Sequence, residues 1–295
     1  MWMWTVLWGG VALVGVTGAL ITVSSSRLAR QVARDTRALF STSLPASSER
    51  LTPLDDLPEP VRKYLDKALG ASPRPVRALR FRHGGRFRTR LDGSWQSIRG
   101  EQYYSVEPPA FIWWGRLHMA PGLWIDAIDR GIDGKGRMSV SLASALTLFD
   151  HSGPELDRGA MLRLLSELVL LPGLLRDARH ITWSDVTRSD APSGAEDGPR
   201  ARCTLRAPGT GAEVTGTFEF GPDGLPRSFS SERYLDDGNG PPRLLPWSGD
   251  YEDYRSVDGL LVPHHFIGYW HVAGERIAYV DFELEAPQYD VPEPF

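Results

Sequence analysis

The first 26 residues carry no charged side chain, and most are apolar. At about 1.5 Å rise per residue, a helix from Trp2 to Val23 is long enough to cross a hydrocarbon core of about 30 Å. Trp2, Trp4 and Trp8 crowd one end, as interfacial anchors do. The alternative is a cleaved signal peptide, which combines a basic start with an apolar stretch of about 7–15 residues. Here the basic start is missing and the run is longer. The sequence predicts a retained transmembrane helix over residues 1–25 of a single-pass protein of the cell membrane. Arg27, Arg30, Arg34 and Arg37 follow it against one acid, Asp35. The positive-inside rule then puts the rest of the chain in the cytoplasm, with the extracytoplasmic side as the alternative.

Residues 26–57 are expected to form a juxtamembrane helix and then a Ser/Pro-rich linker. One domain, residues 58–295, should follow. It opens on a short helix whose stripe is Val61, Tyr64, Leu65, Ala68 and Leu69. From Val76 the pattern turns to strands, with turn signals at Gly84-Gly85, Asp92-Gly93, Asp133-Gly134, Asp223-Gly224, Asp237-Gly238 and Asp258-Gly259. Between Glu213 and Phe220, Val214, Gly216, Phe218 and Phe220 alternate with polar residues, which marks an antiparallel strand with one wet face. A long helix, 154–175, interrupts the strands. Met161, Leu164, Leu165, Leu168 and Leu171 form its stripe, while Leu162, Val169 and Leu170 fall outside it. Such a helix needs more than one apolar neighbour. The expected fold class is α+β: a transmembrane helix, then a curved antiparallel sheet or incomplete β-barrel of about ten or eleven strands covered by a long helix. Residues 189–199 are expected to be a loop.

Composition removes several function classes. A net charge of −4 argues against a nucleic-acid partner. The lone Cys203 permits no internal disulfide, and no cysteine follows the apolar segment to carry a lipoprotein anchor.

The run from Gly153 to Gly159, with Leu162 to Leu175 after it, resembles a family of bacterial membrane-anchored proteins known only as a domain of unknown function. So do the Trp113–Asp126 segment, Arg233-Tyr234, Pro246-Trp247 with Tyr251–Gly259, and Val262-Pro263. The resemblance runs from about Leu57 to Tyr289. It departs at Ala160, where an acid is expected, and in the N-terminal flank, which lacks basic residues. The pattern of a sheet with a covering helix is also similar to the lipoprotein-carrier fold, an incomplete barrel around an apolar cavity. That likeness is architectural, and a fold does not name a function.

The sequence shows no catalytic site: it has no nucleophile elbow, His-Glu-x-x-His, phosphate loop or cysteine pair, and no cofactor or metal is predicted. His264, His265 and His271 lie on one predicted strand, His265 and His271 on the same side, with Asp281 or Glu283 expected near. They support an acid–base or metal alternative, although ligand spacing is absent. Asp126, Asp129 and Asp133 lack the pattern of a calcium loop. Arg80, Arg82, Arg86, Arg88 and Arg90 share one parity, so one strand face presents five guanidiniums, either to acids on neighbouring strands or to anionic headgroups. Phe111, Trp113, Phe266 and Trp270, with Leu164 and Leu168 of the helix, are candidates for an apolar pocket. The family motif adds Glu155 and Arg233 as its polar groups. The function that follows is a membrane-tethered binding domain for a lipid or other apolar ligand. An envelope-associated hydrolase and a structural module at the membrane are the alternatives.

Overall fold

A computed structural model describes residues 2–45, 47–70, 74–186, 198–236 and 240–295, with side chains from residue 18 onward except that of residue 48. Helix α1 (Trp2–Ser41) leads into α2 (Glu59–Leu69). Six strands follow: β1 (Ala78–Phe87), β2 (Gln96–Ser105), β3 (Ala110–Ala120), β4 (Leu123–Ile132), β5 (Lys135–Leu142) and β6 (Leu146–Ser152). After α3 (Pro154–Glu167) come β7 (Ile181–Asp185), β8 (Arg200–Arg206), β9 (Glu213–Phe220), β10 (Pro226–Leu235), β11 (Arg243–Val257), β12 (Leu260–Val272) and β13 (Glu275–Tyr289). All thirteen strands form one antiparallel sheet, in the order β6-β5-β4-β3-β2-β1-β13-β12-β11-β10-β9-β8-β7. The chain is an up-and-down meander whose first and last strands meet in the middle.

Thirteen strands exceed the ten or eleven expected, because several turns lack an Asp-Gly signal. Ala143 and Ser144 close one hairpin and Ala273-Gly274 another, all with positive φ, the conformation two-residue hairpin turns require. Conversely, Gly84-Gly85 makes no turn but lies inside β1. Gly85 has φ +134°, and a Cβ there would fall 2.1 Å from the Asp281 carbonyl oxygen. Gly85→Ala should therefore cost about 2 kcal/mol or more, seen as a lower denaturation midpoint with an unchanged slope. The Asp237-Gly238 signal and most of the 189–199 loop lie outside the described residues.

The stripe of α2 is buried as its periodicity requires. The covering helix is shorter than expected. Helix α3 ends at Glu167, where tight turns over Leu168–Leu170 and Leu174–Arg176 take over. Carbonyls at this end find tyrosine hydroxyls instead of helical amides: Tyr251 donates to Ser166 O (2.5 Å), Tyr64 to Val169 O (3.2 Å) and Tyr289 to Leu170 O (2.8 Å). Pro172-Gly173 then opposes renewed helix. Helix α3 lies within the curl of the sheet and touches β4, β5, β8, β9 and β10. With neighbours all round, Leu162, Val169 and Leu170 are buried beside the stripe.

The second half of α1 packs on the convex face. Val32, Leu39 and Phe40 meet Ala78, Tyr103, Ile112 and Ile128, and Asp35 pairs with Arg130 at 2.8 Å. Among the described residues no helix is long and apolar enough to cross a membrane. The side chains of residues 2–17, most of the expected span, lie outside those described.

Candidate functional site

A cavity of about 590 Å³ occupies the concave side of the sheet. Its size falls in the usual range for ligand pockets. Strand alternation builds its walls. Trp113 on β3, Trp247 on β11, Phe266 and Trp270 on β12, and Phe282 on β13 all project inward. Leu117, Ile125, Val140 and Phe149 close the side formed by β3 to β6. The floor is polar, because α3 presents its charged side here: Arg163, Ser166 and Glu167 line the cavity with Asp129 of β4. Thr89, Arg90, Tyr234 and Asp236 line it and are exposed, so it opens between the β1–β2 loop and the end of β10.

The floor is a closed network. Arg163 donates to Glu167 Oε1 (3.0 Å), Asp129 Oδ2 (2.9 Å) and Gln102 Oε1 (3.1 Å). Its guanidinium lies over the rings of Phe111 and Trp113, 5.1 and 4.9 Å from their centroids. Glu167 Oε2 also accepts from Tyr104 (2.6 Å) and Gln102 (2.9 Å). Burial works against the arginine's charge, but the Glu167 and Asp129 carboxylates outweigh it and hold its pKa above the ordinary value. A buried charge is tolerated only when paired and hydrogen-bonded in this way.

Beside the floor, Trp113 Nε1 donates to His83 Nε2 at 2.7 Å, and the imidazole stacks on Phe282 with centroids 4.3 Å apart. Burial, and then the positive Arg163, push His83 down to about 3. Once unfolded, this histidine takes up a proton near pH 6.5; folded, it stays neutral until about pH 3. Its contribution is thus intact above pH 6.5 and is lost as pH falls toward 3, by about 1.4 kcal/mol per pH unit. Denaturant unfolding between pH 7 and 4.5 should show a steeper acid loss for the wild type than for His83→Gln, which keeps an acceptor for Trp113 but does not titrate.

The expected site residues divide. Trp113, Phe266, Trp270 and Arg233 line the cavity, with Arg233 4.7 Å over the Trp247 ring. Phe111 is buried under Arg163, and Leu168 is buried in the core rather than in the cavity wall. Leu164 borders a separate space of about 10 Å³ beside Gly131 and Ala207. Glu155 sits exposed in the first turn of α3. The row of five arginines is split where β1 ends. Arg80, Arg82 and Arg86 face outward and meet Gln288, Glu101 and Asp281, whereas Arg88 and Arg90 turn into the cavity mouth. Arg163, Glu167, Gln102 and His83 were not anticipated. The available signal was the i, i+4 pair Arg163–Glu167 among the leucines of the second half of the helix.

The histidines adopt the expected sides. His265 lies between Glu252 (2.9 Å) and Asp281 (2.8 Å), while His264 is buried against Val262 O. Ser248 Oγ is 2.9 Å from His271 Nε2, on the convex face away from the cavity. Asp126 and Asp129 take opposite faces, so the acid group considered for a cation does not assemble: Asp126 binds Arg116 (2.8 Å) and Trp124 (2.9 Å) instead. Glu107, Asp177 and His180 do converge, but Arg179 donates to both carboxylates and supplies their countercharge.

The fold is similar to a LolA superfamily protein from Nitrosomonas europaea, at 12% identity and TM-score 0.40, covering 78% of this chain and 91% of that one. It is also similar to a β-barrel-like protein of the domain of unknown function DUF1849 from Brucella abortus, at 11% identity and TM-score 0.21, covering 72% and 98%. No curated protein matches the sequence. Residues 48–282 match DUF6544, and the chain belongs to this family of unknown function, as its motifs led us to expect.

Proposed function

We propose that the domain binds a lipid or another apolar small molecule in the concave cavity. The observation that carries this is the cavity itself: about 590 Å³, walled by aromatic and aliphatic side chains, open at one end and closed at the other by a self-satisfied polar floor. A space of that size with apolar walls favours an apolar occupant over water. Because the floor's charges are already paired, the chain of an amphiphile would enter first and its head would remain near Arg88, Arg90 and Arg233. On this proposal the apolar N-terminal run tethers the domain to a membrane, and Arg27, Arg30, Arg34 and Arg37 favour the cytoplasmic side.

A titration with a fluorescent fatty acid tests the proposal. Trp113, Trp247 and Trp270 line the cavity, so binding should quench tryptophan emission saturably. Emission that stays unchanged while the probe partitions only into detergent would refute it.

A further inference from the structure

Among the described residues, several exposed apolar side chains gather at the end where the cavity opens. Met119 and Leu123 flank the β3–β4 turn, and Leu146 follows the β5–β6 turn; all three are exposed. These two turns lie at the same end of the sheet, as the pairings Ile98↔Leu117, Leu117↔Ile125 and Ile125↔Leu142 require. The β1–β2 loop, which borders the cavity mouth, is the next connection at that end. Farther round the mouth, Tyr234 and Leu244 face each other across β10 and β11, both exposed. Helix α1 leaves the domain here as well. Ser25 Oγ is 2.9 Å from Ser144 Oγ in the β5–β6 turn, and exposed Leu20 and Val23 lie one turn farther on.

We infer that this rim docks on a phospholipid bilayer, with the β3–β4 and β5–β6 turns dipping into its surface. Three observations select a bilayer over a protein partner. The apolar side chains are spread over the ends of separate hairpins, β3–β4, β5–β6 and β10–β11. Behind them is a belt of Trp114, Trp124 and Arg116, with the guanidinium 5.5 and 4.9 Å from the two ring centroids. Indole and arginine together suit the membrane–water interface. Finally, the uncharged N-terminal segment continues from the same corner, and Arg27 and Arg30 stand at its exit, where anionic headgroups would meet them. Docked this way, the cavity mouth faces the lipid, and a chain could pass between bilayer and cavity without crossing water.

Site-directed fluorescence on the full chain in vesicles tests this. Met119→Cys, Leu123→Cys and Leu146→Cys each place one label on the rim, and Ile132→Cys and Leu44→Cys place it away from the rim. The native Cys203 is buried and should remain unlabelled. In vesicles of phosphatidylcholine and phosphatidylglycerol, labels on the rim should shift to the blue and be quenched by nitroxide carried on the acyl chains. Labels at 132 and 44 should keep aqueous emission. Adding Leu123→Asp and Leu146→Asp to the Met119→Cys protein should abolish its quenching. Aqueous emission at both ends would overturn the inference. So would blue emission that the nitroxide lipid does not quench, which would mean that protein covers the rim. The labels do not report on cavity occupancy, so this test and the fatty-acid titration fail independently.

Discussion

Arg163→Met should lower the unfolding free energy by about 3 kcal/mol, the low end of the cost of breaking a buried ion pair. The low end applies because 16% of the side chain remains exposed. Methionine roughly preserves the packing volume, so the loss comes from charge. Asp129 and Glu167 would be left together on the cavity floor without their shared cation, and Gln102 would lose its donor. Against a net stability of about 5–15 kcal/mol, such a change moves the denaturation midpoint a long way. Asp129→Asn with Glu167→Gln in the Arg163→Met background should restore most of it, since replacing all the charges removes the penalty that replacing one creates. Equilibrium denaturation of the single and triple variants checks both statements. An Arg163→Met protein as stable as the wild type would mean that the floor is solvated rather than closed.

Ala127→Trp should weaken apolar-ligand binding at least tenfold, equivalent to about 1.4 kcal/mol, while leaving the fold intact. Ala127 lies on β4 between Gly115 and Val140 and faces the cavity. An indole there occupies space that a ligand would need, and its apolar surface stays out of water. Val140→Trp, on the neighbouring strand, should act in the same direction. The fatty-acid titration, with denaturation as the control for folding, separates blocking from unfolding. Unchanged affinity in both stable variants would move the binding site elsewhere.

The broad architecture was legible because its signals are local. Alternation along 213–220 appears as β9, and the stripe of the first domain helix is buried as drawn. The aromatic residues Trp113, Phe266 and Trp270 could be assigned to inward faces from parity alone. What remained hidden depends on the curl of the sheet. Only when β4 and α3 are brought face to face does Asp129, the seventh residue of β4, meet Arg163 from the helix. His83 lies between Arg82 and Gly84 on a strand whose arginines dominate the pattern, yet its parity points inward, and Trp113 finds it 30 positions away. The helix was overextended because its hydrophobic run continues past Glu167, whereas its hydrogen bonding stops there in favour of three distant tyrosines. The extra apolar residues Leu162, Val169 and Leu170 are core packing, and the cavity is bordered instead by the polar side of the same helix.

If the concave cavity holds an apolar molecule, native mass spectrometry of the protein extracted in mild detergent will detect it. The expected result is a population carrying one added lipid-sized mass, released on denaturation and much reduced in Ala127→Trp. A folded wild-type protein free of any such adduct, which also fails to acquire one when incubated with fatty acid or phospholipid, would contradict it.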